Sequence, residues 1–246
     1  MVFKPLSTLP NFDPRRVEVA GIDAHLPAVP SERLTPIALR QRFAAPPAWQ
    51  PELRREPRFS DRSPAAAAVL VPLIQRTGGL TVLLTERTAH LSTHSGQVAF
   101  PGGKVDPSDA DAAAAALRET EEEVALPRRF VEVIGQLPTY ATGTQFIVTP
   151  IVALVRPGFV LHPNPDEVAH AFEVPLTFLM NPAHHRRHRV ELNGQVREWF
   201  SMPYVEPARA ETAANESPPT PGSEVERFIW GATAGMLRNF YRFLAA

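Results

Sequence analysis

The amino-acid sequence predicts an α+β fold, with helices packed on a mixed β-sheet. Three observations carry this reading. From Ala66 onward, short apolar runs rich in β-forming residues recur with turn residues between them. Among them the helical patterns fall only near Asp109–Val124 and at the C-terminus, so strands and helices do not alternate strictly. With 44% hydrophobic and 21% charged residues, the 246-residue chain has the make-up of a globular domain with a sizeable core.

Residues 1–64 read as an N-terminal extension. Within it, SERLTPIALRQRF (Ser31 to Phe43) predicts a short helix with Ser31 as N-cap and Leu34, Ile37, Leu39 and Phe43 as its apolar stripe. The Pro-rich, charged run AAPPAWQPELRREPRFSDRSP then predicts a linker or a wrapping arm. Residues 65–246 read as the main domain. AAAVLVPLIQR and LTVLLTER predict two strands joined at Thr77-Gly78-Gly79. HLSTHSGQVAFPGG predicts a loop with a short strand. An alanine-rich helix runs from about Asp109 to Val124, with Ser108 or Asp109 as N-cap, and Pro127 closes it. Further strands are expected at FVEVIGQLPTY, FIVTPIVALV, HRVELNG and REWFSMPYV. Glu206 to Ser223 predicts a mobile loop, and FIWGATAGMLRNFYRFLAA a closing amphipathic helix.

Composition removes several classes of function. The net charge of −1 gives no basic field for nucleic acid as a bulk partner. The absence of Cys excludes thiolate metal sites and Cys nucleophiles. No apolar run approaches the roughly 20 residues that span a bilayer, and MVFKPLSTLPNFDP lacks the apolar segment of a signal peptide. A cytoplasmic protein without a membrane partner is therefore expected.

The chemistry is concentrated in GGKVDPSDADAAAAALRETEEEVAL. On a helix, Glu119, Glu122 and Glu123 fall within about 100° of one another, while Ala113, Leu117 and Val124 fall opposite and suit packing on a sheet. Three carboxylates at this spacing repel one another, and a divalent cation relieves that cost. Hard oxygen donors suit Mg²⁺ or Mn²⁺, with water and substrate phosphate completing the shell. Arg118 stands where its fork can hold one carboxylate. Gly102-Gly103 before the helix permits close backbone approach to a ligand.

This segment resembles the Nudix box, written G-x5-E-x7-R-E-U-x-E-E-x-G-U, where U is bulky and apolar. Arg118, Glu119, Glu122 and Glu123 match its R-E-x-x-E-E core. Thr120 stands at a U position, and Ala125 stands where Gly is usual, which predicts a less sharply turned helix end. The stretch from Gly103 to Arg118 is one residue longer than the pattern, and Asp109 is the acid nearest the early Glu. The resemblance implies an α/β/α sandwich around the mixed sheet and metal-dependent cleavage of a pyrophosphate bond. It also implies Glu119 and Glu123 as metal ligands and Glu122 as ligand or base, with Glu167 in the loop NPDEV as a second candidate base. A homodimer is compatible with the family.

The upstream run LLTERTAHLSTHSGQVAFPGG resembles the element preceding the box in the coenzyme A pyrophosphatase branch. Leu83, Leu84, Thr85, Arg87, Gly96, Phe100, Pro101, Gly102 and Gly103 match its spacing, while Thr88 replaces Ser or Ala and Ser92 replaces an Arg. That branch implies coenzyme A as substrate, with Arg87, Gly96, Gln97, Phe100, Gly102 and Gly103 against it. Ser92 motivates the rival substrates ADP-ribose, NADH and dinucleoside polyphosphates, unless His90 or His94 stands in for the missing Arg on coenzyme A. A ligand sensor without turnover is the third reading, opposed by the intact carboxylate core. Elsewhere, the His184 to Arg189 cluster suits either an anion contact or exposed strand charge. Gly143 marks a loop over the substrate or a simple turn, and Trp199 and Trp230 read as packing anchors.

Overall fold

The computed structural model describes residues 12–58, 60–88, 96–192, 195–206 and 225–246. Beyond Glu206 the loop expected up to Ser223 lies outside the described residues, as do His90, Ser92 and His94. In chain order the elements are β1 (Val19–Ile22), α1 (Pro36–Ala44), β2 (Ala65–Arg76), β3 (Gly79–Arg87), β4 (Val98–Ala99), β5 (Gly102–Lys104), α2 (Ala112–Val124), β6 (Val131–Gln136), β7 (Tyr140–Ala141), β8 (Phe146–Val155), β9 (Val168–Pro175), α3 (Leu176–Leu179), β10 (Arg186–Leu192), β11 (Gln195–Glu206), β12 (Val225–Trp230) and α4 (Gly231–Ala245).

The expected mixed sheet runs β4-β3-β2-β8-β6, with β5 on β2, β7 on β8 and β9 on β3. Among the described strands of this sheet, β2 and β8 alone pair parallel, from Ala65 opposite Phe146 to Ile74 opposite Val155. A second, wholly antiparallel sheet accompanies it in the order β1-β10-β11-β12. Alternate residues of β2 serve opposite faces of the first sheet. Ala68, Leu70 and Ile74 pack with Ala115, Ala116 and Val124 of α2. Ala67, Val71 and Leu73 join a larger core with α1, the second sheet and α4. Both faces are thus covered, as near-continuous apolar strands demand.

Several boundaries move for identifiable reasons. The helix expected over Ser31–Phe43 divides into a 3₁₀ turn, Ser31–Leu34, and α1. Pro36 cannot sit in a helix interior and forces Thr35 into an extended conformation (ψ 153°). Thr35, not Ser31, is the cap; its Oγ1 accepts the Ala38 N–H at 3.3 Å. Similarly, α2 is capped by Asp111, whose carboxylate accepts the Ala114 N–H at 2.8 Å. Asp109 is already engaged, accepting the Asp106 N–H and pairing with Arg118.

At its other end α2 turns as sharply as a glycine would allow. Ala125 adopts the left-handed region (φ 55°) and its N–H donates to the Glu121 carbonyl. This corrects the softer turn expected from the missing Gly. The loop between β8 and β9 holds the strained residue, because His162 and Asn164 donate N–H groups to the carbonyls of Val124 and Glu123.

The C-terminal segment is a strand up to Trp230 and only then a helix. Far from being amphipathic in its surroundings, α4 is buried almost throughout. Residues of the N-terminal extension cover its outer side: Phe43 and Trp49 lie on Phe243, and Leu53 exchanges both backbone hydrogen bonds with the Asn239 amide. The Pro-rich run is therefore a wrapping arm.

Candidate active site

Arg118 organises the carboxylate helix. Its Nε and Nη2 donate to the two oxygens of Asp109, both at 3.0 Å, in a bidentate pair. Its Nη1 donates to Glu119 at 2.9 Å and to Glu122 at 3.1 Å, and its Nη2 also reaches the Lys104 carbonyl at 3.2 Å. Hydrogen bonds from Arg118 hold the Asp109 carboxyl below the usual range. The extra residue before Arg118 thus leaves Asp109 as its structural partner.

The three glutamates occupy different environments. Glu122 is open to solvent, with 59% of its side chain exposed. Glu119 is mostly covered. Glu123 is only 5% exposed, within the stripe that α2 buries against the sheet. The helical wheel separates a carboxylate face from a packing face; in the fold the boundary runs through the carboxylates. Burial raises the Glu119 carboxyl, opposed by Arg118. Burial pushes Glu123 up to about 7, and the charges of Glu167 and Glu119 act in the same direction. The Gly102 N–H, donating to Glu123 at 3.1 Å, and the charge of Arg87 oppose this only in part. A carboxylate so desolvated and so short of positive charge fits a cation.

The two glycines of β5 create this arrangement. Gly102 has φ 148°, and a Cβ there would run into the Ala68 carbonyl and lie 2.6 Å from the Val69 Cα. At Gly103 a Cβ would overlap the Glu119 carboxylate. One glycine therefore supplies an N–H to Glu123 and the other leaves room for Glu119. Replacing Gly103 by Ala is expected to displace that carboxylate and lower kcat about 100-fold with a near-native melting temperature, because the atom that must give way ends a flexible side chain. An unchanged kcat in this variant would show that the contact positions nothing.

Glu167 approaches from the loop between β8 and β9. The bonds of His162 and Asn164 to the end of α2, and that of the Thr88 N–H to the Glu167 carbonyl at 3.1 Å, fix this loop. Glu167 is half-buried and near enough to act electrostatically on both Glu119 and Glu123. Among the described residues no three Asp, Glu or His side chains close on one point as a finished cage. Mg²⁺ and Mn²⁺ do not require one, since water and substrate phosphate supply the remaining oxygens.

A cavity of about 420 Å³ opens beside the carboxylates. Arg87, Gln97, Phe100, Gly102 and Gly103 all line it, so five of the six expected substrate contacts share one wall. Gly96 does not; its N–H donates to the Arg87 carbonyl and shapes the turn behind that wall. Lys104, Glu56, Thr142 and Thr144 also line the cavity, and none of them belongs to a recognised motif. Trp199 and Trp230 do pack, both against Phe12, and they form part of the lining as well.

The basic cluster at Arg186–Arg189 serves the second sheet instead of an anion. Arg187 pairs with Asp23 and Glu52 at 2.9 and 3.0 Å. His188 is buried, stacked on Trp199 and bonded to Ser201 at 2.8 Å. Arg187 is thus partnered by residues remote in sequence, while Arg186 and Arg189 stand exposed on β10 as plain strand charge.

Comparison with known proteins agrees with this geometry. Residues 64–221 match the family model described as NUDIX domain. An uncharacterized Nudix hydrolase of Citrobacter koseri is 42% identical over 175 residues, 70% of this chain and 79% of the relative. One from Photorhabdus laumondii is 48% identical over 138 residues, 56% of this chain and 73% of the relative. Among solved structures, a Nudix hydrolase from M. smegmatis, RenU, aligns with a TM-score of 0.37 and 28% identity over 47% of this chain and 73% of that one. No helix of the described residues is long and apolar enough to cross a membrane. With the domain match covering more than half of the chain and the carboxylate helix packed against the two glycines that line the cavity, the chain belongs to the Nudix hydrolase family.

Proposed function

We propose that the chain hydrolyses the pyrophosphate bond of coenzyme A or its derivatives, with Mg²⁺ or Mn²⁺, to 3′,5′-ADP and 4′-phosphopantetheine. One observation carries the choice of substrate. The segment resembling the coenzyme A branch, Leu83 to Gly103, contributes Arg87, Gln97, Phe100, Gly102 and Gly103 to the lining of the cavity. The residues that resemble the branch are thus also the residues a substrate would meet.

Glu119 and Glu123 would hold the divalent cation, which supplies charge neutralisation for the diphosphate and helps ionise the attacking water. Arg118 keeps Glu119 and Glu122 in place. Arg87 and Lys104 offer positive charge toward phosphate oxygens along the same wall. Glu167, facing α2 from its loop, accepts a proton from the attacking water; Glu122, tied to Arg118, is the second candidate. The water oxygen bonds to phosphorus as the bridging P–O bond breaks, and the leaving phosphate takes the electron pair. Both products depart as phosphomonoesters.

Turnover of coenzyme A, ADP-ribose and NADH measured side by side, with products resolved by mass, tests the reading. Coenzyme A is expected to be cleaved fastest, giving the masses of the two named products. Faster cleavage of either rival would overturn it.

A further inference from the structure

We infer that Glu56, carried into the cavity by the N-terminal arm, is a specificity-determining residue that accepts a hydrogen bond from a neutral N–H group of the substrate. The inference rests on the function proposed above. It concerns a residue outside the matched domain, which begins at residue 64.

The arm reaches the cavity by backbone pairing. The Glu56 N–H donates to the Ala141 carbonyl at 2.8 Å, and the Ala141 N–H donates to the Arg54 carbonyl at 3.0 Å. Glu56 and Pro57 consequently stand in the lining with Thr142 and Thr144. One carboxylate oxygen, Oε2, accepts the Gly143 N–H at 2.9 Å. The other, Oε1, lies toward Gly231, itself part of the lining, and accepts no hydrogen bond among the described residues. No cation pairs with Glu56 among these residues, and burial raises its carboxyl.

An acid in this position has a definite consequence for a substrate that carries several phosphates. It offers them no cation, so the phosphates belong with Arg87 and Lys104 and the uncharged part of the substrate with Glu56. An acceptor that faces the cavity without a donor is satisfied when the substrate brings one. The N–H donors on an uncharged part are the exocyclic amine of a purine and the amide N–H groups of a pantetheine arm. Both present the same chemistry to Oε1.

Glu56→Gln separates this role from support of the fold. The amide keeps one oxygen for the Gly143 N–H and places an NH₂ donor where an acceptor stood. KM for coenzyme A is expected to rise about tenfold or more, with a much smaller change in kcat and an unchanged melting temperature. ADP-ribose, which has the adenine and lacks the pantetheine, distinguishes the sources. An equal rise on both substrates assigns the amine, and a rise on coenzyme A alone assigns the amides. KM values within about twofold of wild type on both, or a loss confined to kcat, would overturn the inference. If the wild type cleaves ADP-ribose and not coenzyme A, the substrate reading fails while Glu56 is still tested on ADP-ribose. Calorimetric titration with coenzyme A and with ADP gives the same comparison without turnover.

Discussion

Replacing Glu123 by Gln is expected to lower kcat about 1,000-fold or more while the protein stays folded. Glu123 is the most buried of the three carboxylates and, among the described residues, its side chain receives only the Gly102 N–H. An amide of the same size still accepts that N–H but loses the charge that a divalent cation requires. The melting temperature without metal is not expected to fall, because the substitution removes an anion from a desolvated position. Steady-state kinetics with saturating Mg²⁺ and Mn²⁺, beside thermal unfolding, would check both halves. Wild-type turnover in this variant would show that the carboxylate face is ordinary surface. A large loss of melting temperature would mean that Glu123 is held for structure.

The second large effect concerns a residue that does not line the cavity. Arg238→Ala is expected to cost roughly 3–5 kcal/mol of stability, which for a chain of this size lowers the melting temperature by about 10 °C. Arg238 is 1% exposed and donates to Asp23 at 2.8 Å and to Glu52 at 2.7 Å. Its guanidinium also covers the Phe200 and Tyr241 rings. Truncation would leave the buried Asp23 with only the half-exposed Arg187. It would also strip a partner from His185, whose Nδ1 accepts from Arg238 because a guanidinium can only donate; Nε2 then carries the proton toward the Leu179 carbonyl. Arg40→Ala is the contrast, since its pair with Glu132 is solvent-exposed and its loss is expected to leave the melting temperature near that of the wild type. A loss below about 1 kcal/mol for Arg238→Ala in chemical denaturation would contradict the argument.

The legible parts of the chain were those where local pattern determines the outcome. The helix bearing Glu119, Glu122 and Glu123 follows from spacing, and β2, β3 and β8 follow from apolar runs bounded by turn residues. A helical wheel gives relative angles and not the direction from which the sheet arrives, so the burial of Glu123 required the fold. The strand β9 interleaves Ala, His and Glu with its apolar residues and offers little β signal; its Glu173 becomes comfortable only beside Arg76 and Thr81. The separate second sheet depends on β1 meeting β10, two segments remote in the chain. Glu56 was invisible for the same reason. A Pro-rich arm has no periodicity, and its carboxylate acquires meaning only through pairing with Ala141.

The parallel ladder of β2 and β8 has a kinetic consequence. Its pairing of Ala65 with Phe146 closes a long loop, and the entropy of that closure must be overcome before any rung forms. Since β5 lies along β2, the glycines that seat Glu119 and Glu123 take their final positions only on a strand steadied from the far side by β8. Catalytic competence in a newly made chain is therefore a late event, reached after residue 155 has been synthesised and has returned to the start of the domain.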